Sequence, residues 1–194
     1  LHVNRTDAGA NSVLNQTSGT VEIGGQGDIL NGTYNQTGGV LNVLGDQLSR
    51  GTNSIFTSSN STLNIGNGSS TNSKLALVNN SDIIAQDTTM TITKNGTLDM
   101  QAGHVEFNDA NDRILEGGNI NQTGGILDLY GNISATNDVK AGYIKSTGGV
   151  LNLVSGTNLT LDNASDEIGA GTKLNLLGTS KLTLDNAGSK ATFT

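Results

Sequence analysis

Apolar and polar residues alternate along this chain in short triplets: Leu63-Asn64-Ile65, Leu75-Ala76-Leu77, Met90-Thr91-Ile92, Leu98-Asp99-Met100, Val105-Glu106-Phe107 and Leu174-Asn175-Leu176. A period of two places the outer pair of each triplet on one face and the middle residue on the other, which is the pattern of a strand. Gly, Asn, Asp and Ser between the triplets supply turn chemistry. From Leu151 to Leu159, Leu174 to Leu182 and Met90 to Leu98 the starts lie 8 positions apart, the length of one short strand and a corner. No stretch sustains apolar residues at helical spacing, and Gly and Asn interrupt every candidate run, so helices are not expected.

The triplets sit inside imperfect repeats. Asn35-Gln36-Thr37-Gly38-Gly39-Val40-Leu41-Asn42-Val43-Leu44-Gly45 returns as Asn121-Gln122-Thr123-Gly124-Gly125-Ile126-Leu127-Asp128-Leu129-Tyr130-Gly131, and a third copy runs from Lys145 to Ser155. A weaker copy begins at Asn15. Asn15 to Asn35 is 20 positions, Asn121 to Lys145 is 24, and Leu159-Thr160-Leu161-Asp162-Asn163-Ala164 recurs 23 positions later from Leu182 to Ala187. A circuit of 20 to 24 residues with about three strands predicts stacked coils. Circuits about 4.8 Å apart, roughly eight or nine of them, give a rod of about 40 Å.

Val40-Leu41-Asn42-Val43-Leu44 is apolar on both faces, as are Ile126 to Tyr130 and Val150 to Val154. A strand covered on both sides needs a second layer, and another subunit is its simplest source, so the reading favours an intertwined homotrimer over a single-chain β-solenoid. Asn42, Asp128 and Asn152 are then polar register-setting residues on an otherwise apolar face.

Composition narrows the function. The chain has 194 residues with 27 Gly and no Pro, Cys or Trp, and only six aromatics, Tyr34, Phe56, Phe107, Tyr130, Tyr143 and Phe193, so the core must be thin. Val, Ile and Leu are nevertheless spread throughout, unlike a disordered chain. A net charge of −7 without any Lys or Arg run argues against nucleic acid as a partner. No apolar stretch approaches the roughly 20 residues of a membrane span. Lack of Cys removes disulfides, thiolate catalysis and sulfur-bound metals. The opening at Leu1 reads as part of a longer polypeptide, with residues 1–194 forming one repetitive segment.

Two fibrous families are similar to particular stretches. Leu1-His2-Val3-Asn4-Arg5-Thr6-Asp7-Ala8-Gly9-Ala10 and the run from Gly131 to Ile144 resemble shaft repeats of long bacteriophage tail fibres. That resemblance implies a homotrimeric, β-structured rod without enzymatic activity, joining a virion baseplate to a receptor-binding tip. Its partners would be adjoining tail-fibre or baseplate proteins, with host surface polysaccharide or protein bound elsewhere in the parent chain. Gly32-Thr33-Tyr34-Asn35-Gln36-Thr37-Gly38-Gly39-Val40-Leu41-Asn42-Val43 is similar to β-helical passengers of bacterial autotransporter adhesins, which implies a binding module at a cell surface.

Each chemical candidate has a plainer reading. Gly24-Gly25-Gln26-Gly27-Asp28 resembles a glycine-rich calcium nonapeptide, but it is single and out of step, so a tight turn between Ile23 and Ile29 is expected. Asp109-Ala110-Asn111-Asp112-Arg113 has calcium-loop spacing, with Arg113 where a ligand belongs, and reads as a solvated loop. The only histidines are His2 and His104. Three copies of His104 on a threefold axis would make a metal site, but an exposed strand-edge histidine is the simpler expectation. A triad on His104 is discarded as chance. Glu106, Asp109, Asp112 and Glu116 hold enough carboxylates for glycosidase chemistry, a polysaccharide-cleaving spike being the third reading, without the aromatic platforms sugars need. Sequons such as Asn60-Ser61-Thr62, Asn95-Gly96-Thr97 and Asn158-Leu159-Thr160 follow from composition. The expectation is therefore an all-β, β-helix or β-solenoid-type fibre with no catalytic, cofactor-binding or metal site.

Overall fold

The computed structural model describes residues 2–3, 13–24, 28–29, 32–44, 55–66, 72–108, 112–114, 117–130, 143–154 and 156–192. All regular structure among them is β, every strand pairing is parallel, and no helix is long and apolar enough to cross a membrane. The strands fall on three faces, taken in turn wherever the intervening residues are described. The first face has eight strands: Val13–Gln16, Thr33–Gln36, Ile55–Ser58, Ile83–Ile84, His104–Phe107, Ile126–Tyr130, Gly149–Val154 and Thr172–Leu176. The second has five, Thr20–Ile23, Val40–Val43, Thr62–Ile65, Thr89–Ile92 and Arg113–Ile114, and the pair Asn158–Leu161 and Lys181–Leu184 holds the same place in later circuits. The third has six, Ser73–Leu77, Gly96–Met100, Asn119–Gln122, Tyr143–Ser146, Glu167–Ile168 and Lys190–Ala191, and the pair His2–Val3 and Asp28–Ile29 takes that place at the start. The protein is a β-solenoid.

Equivalent side chains stack because the register is in step. Val21, Leu41, Leu63 and Met90 form one column, and Ile23, Val43, Ile65, Ile92 and Ile114 the next. On the first face Ile84, Val105, Leu127, Leu151 and Leu174 align. These inward residues join one continuous core, in which Leu41, Leu63, Val105, Leu127 and Leu151 are fully shielded. Tyr34 stacks on Phe56 with ring centroids 5.7 Å apart, a contact worth about 0.5–1.5 kcal/mol beyond its buried area. Sequence periodicity placed the triplets correctly, except that Leu174 and Leu176 lie in the outermost strand of their sheet and Leu176 stays exposed.

The repeated Asn-Gln-Thr-Gly-Gly segment is a corner. Gln36 and Gln122 are fully buried at strand ends. The Gln122 amide donates to Gly125 O in its own corner and to Val150 O on the next circuit, while its carbonyl accepts from the Ser146 hydroxyl at 2.8 Å. Gln36 does the same with Gly39 O, Thr62 O and Ser58. The two glycines serve different needs. A Cβ on Gly124 would lie 2.2 Å from Gln101 O on the adjacent circuit, whereas Gly125 adopts φ +71°, a conformation that side chains other than Asn or Asp resist.

A second kind of corner carries Asp before a two-residue strand. Asp82, Asp112 and Asp166 are buried, and their carboxylates accept the backbone N–H of Phe56, Met90 and Ile144 on the preceding circuit. Each replaces a ladder bond that the short strand leaves unmade. Asp82 and Asp166 also accept from Asn79 N and Asn163 N within their own corners, where Asn79 and Asn163 in turn accept from Ser81 N and Ser165 N.

Candidate functional site

On the outer surface, polar side chains form ladders along the axis. Asn64 donates to Asn42 at 2.8 Å, and Asn42 to Glu22 at 3.4 Å. On the first face Asn175 donates to Asn152, which donates to Asp128. Asn42, Asp128 and Asn152 thus face outward and hydrogen-bond between circuits of their own chain. Their apolar neighbours Val40, Leu44, Val150 and Val154 are half-buried, and Ile126 is 39 % exposed.

The Asp128 end of this ladder gathers the densest chemistry among the described residues. His104 and Glu106 are two apart on one strand, so both point outward. Asp128 is the direct partner of Glu106 on the next circuit. His104 Nε2 lies 2.9 Å from Asp128 Oδ2, with the two side chains 37 % and 13 % exposed. Glu106 Oε2 accepts from Gln86 N at 3.3 Å, and the Tyr130 hydroxyl donates to Glu106 Oε1 at 3.4 Å. Burial, then the charges of Glu106 and Asp128, push the Tyr130 phenol above its usual range.

Other sequence candidates are dispersed. Asp112 is not part of a solvated loop: it is 4 % exposed and its carboxylate holds Met90 N at 2.7 Å, because the following strand is too short to make that bond itself. Glu106 faces outward while Asp112 faces inward, so these two do not form a facing acid and base; Asp109 and Glu116 lie outside the described residues. Residues 25–27 of the glycine-rich segment also lie outside them, and Asp28 belongs to a strand paired with His2 and Val3. Asn60 and Asn95 of the sequons occupy corners with φ of 46° and 61°, where asparagine is among the few residues tolerated. A shallow groove of about 360 Å³ runs over Tyr143, Lys145, Glu167 and Lys190. Lys145 and Glu167 pair there at 2.9 Å, and this contact holds the Glu167 carboxyl below its ordinary range.

Sequence reading missed the inward role of Gln36 and Gln122, treating their motif only as a repeat marker. It also missed the Asn79-Asn80-Ser81-Asp82 and Asn163-Ala164-Ser165-Asp166 corners. Their similarity to each other was the available signal.

Fold and surface together define a class: a three-faced parallel β-solenoid whose one chain supplies its own core. No family model, curated protein or solved structure matches the chain.

Proposed function

We propose that this chain is a structural shaft segment of a phage-type tail fibre, a rod that holds a receptor-binding tip away from a virion. The supporting observation is the unbroken parallel stacking through an eight-stranded sheet, with buried Gln and Asp corners tying each circuit to the next. Force along such a rod loads many short bonds together, and each circuit adds a nearest-neighbour term to its stability. In this reading the rod is a homotrimer, and the outward Ile126, Val150 and Val154 meet sister chains. Light scattering combined with negative-stain imaging of the longer parent tests it. A trimeric appendage on a virion is the expected result, and a folded monomer on a bacterial surface would overturn it.

One observation favours a second reading, a monomeric β-helical adhesin passenger. Leu41, Leu127 and Leu151 are fully covered by their own chain, so the core needs no sister subunit. The same scattering measurement separates the two.

A further inference from the structure

We propose that His104, Glu106 and Asp128 form a binding site for a divalent transition ion, with zinc the ion that their donor set fits best. The three ligand atoms lie within 4.8 Å of one another. Topology brings them together: two alternate residues of one strand share the outer face, and the parallel register sets Asp128 beside Glu106. A tetrahedral ion with bonds of about 2.0–2.2 Å keeps its ligands roughly 3.3–3.6 Å apart. Binding requires the half-exposed imidazole and the Glu106 carboxylate to turn about Asp128 Oδ2 from the present spacing to that one. The sequence offers His104 as a metal ligand only through three copies on a threefold axis, whereas stacking of adjacent circuits brings two carboxylates to one His104 within a single chain.

The donor types choose the ion. Calcium and magnesium take all-oxygen sets, whereas one imidazole nitrogen with two carboxylate oxygens suits zinc. The surroundings orient the ligands as outer-shell partners do. Asn152 donates to Asp128 Oδ1 and accepts from Asn175 at 2.6 Å, which leaves Oδ2 turned toward His104. Gln86 N and the Tyr130 hydroxyl position the two oxygens of Glu106. Three protein ligands on an outer face leave a fourth position for water. The ion would pin two circuits together and stabilise the folded chain alone.

The competing account is a simple His104–Asp128 ion pair, in which Glu106 has no part. Calorimetric titration of the purified chain with zinc, and with cobalt as a visible-absorption probe, decides between them. One ion per chain is expected. Glu106→Gln, His104→Asn and Asp128→Asn should each weaken uptake at least tenfold, and Asn152→Ala by roughly tenfold through lost orientation. Asp99→Asn, altering an outward carboxylate paired with Lys74 on another face, should leave uptake unchanged. Zinc should raise the melting temperature of the parent and not of Glu106→Gln. If Asp128→Asn fails to fold, the more exposed His104→Asn and Glu106→Gln carry the test. No uptake by the folded parent, or uptake that survives both of those changes, overturns the site.

Discussion

Gln122 donates its side-chain amide to the carbonyl of Val150, 2.9 Å away on the following circuit, and to Gly125 O at 3.3 Å in its own corner. A side chain chosen from the polar set therefore fills a core position, where its amide joins two backbone carbonyls and its own carbonyl takes the Ser146 hydroxyl. Each buried polar group left without a partner costs about 1–3 kcal/mol. Gln122→Leu keeps the volume but removes the side-chain donor from Val150 O, while the Ser146 hydroxyl keeps Thr172 Oγ1 as a partner at 2.9 Å. It should lower the stability by about 1–3 kcal/mol on that basis, read as a shifted midpoint in urea unfolding; an unchanged midpoint would show that the amide is dispensable.

Gly124→Ala puts a methyl 2.2 Å from Gln101 O, a backbone atom that cannot swing aside, while a Cβ on Gly24 meets nothing within 4 Å. The first change should therefore force two circuits apart and cost about 2 kcal/mol or more, in the range of other overpacked sites. Gly24→Ala should leave the melting temperature nearly unmoved. Equal effects of the two substitutions would contradict close stacking at the Gly124 corner.

Leu127 and Ile126 are neighbours in one strand with opposite fates, fully buried and 39 % exposed. Leu127→Ala should cost about 2–5 kcal/mol, as core truncations do. Ile126→Ser should leave the stability of a lone chain nearly unchanged. If sister chains cover that face, Ile126→Ser shifts the scattering mass of the assembly instead, so this variant reports on the trimer independently of imaging.

Asp166 sits in a corner where burial raises its carboxyl above the ordinary 3.8, against the pull of hydrogen bonds from Ile144 N and Asn163 N. The folded chain thus holds this proton more tightly than the unfolded one. The associated stability is complete below 3.8 and is lost as pH rises through the elevated folded value. Glu167, lowered by Lys145, slopes the other way, its contribution disappearing as pH falls. Subtracting the melting curve of Asp166→Asn from that of the parent isolates the first effect. The difference should change across the mildly acid range, and a flat difference would mean that Asp166 titrates as it does in the unfolded chain.

Alternation revealed the strands wherever they were long enough to show it, as at Met90-Thr91-Ile92 and Val105-Glu106-Phe107. It was silent at Ile83–Ile84, Arg113–Ile114 and Glu167–Ile168, since two residues carry no period. It was not applied to Gln36, and Asp112 was read as part of a solvated loop; the inward direction of both is held by backbone atoms of another circuit. The His104, Glu106 and Asp128 grouping was half visible: the first two share a strand face by spacing alone, but pairing with Asp128 depends on which circuit lies next. Repeat similarity pointed elsewhere, because the copies at Asn35 and Asn121 occupy different pairs of faces. The first spans faces one and two, and the second spans faces three and one.

That change of face has a consequence for how such a molecule lengthens. The Asn-Gln-Thr-Gly-Gly bend works at either edge of the triangular cross-section, so it behaves as an interchangeable hinge piece and not as a marker of one side. A duplicated or deleted segment can therefore rejoin the column at whichever edge it reaches, provided that the next strand meets its lower neighbour in step. Growth by uneven increments, such as the 20 positions between Asn15 and Asn35 and the 24 between Asn121 and Lys145, is then tolerated without scrambling the interior.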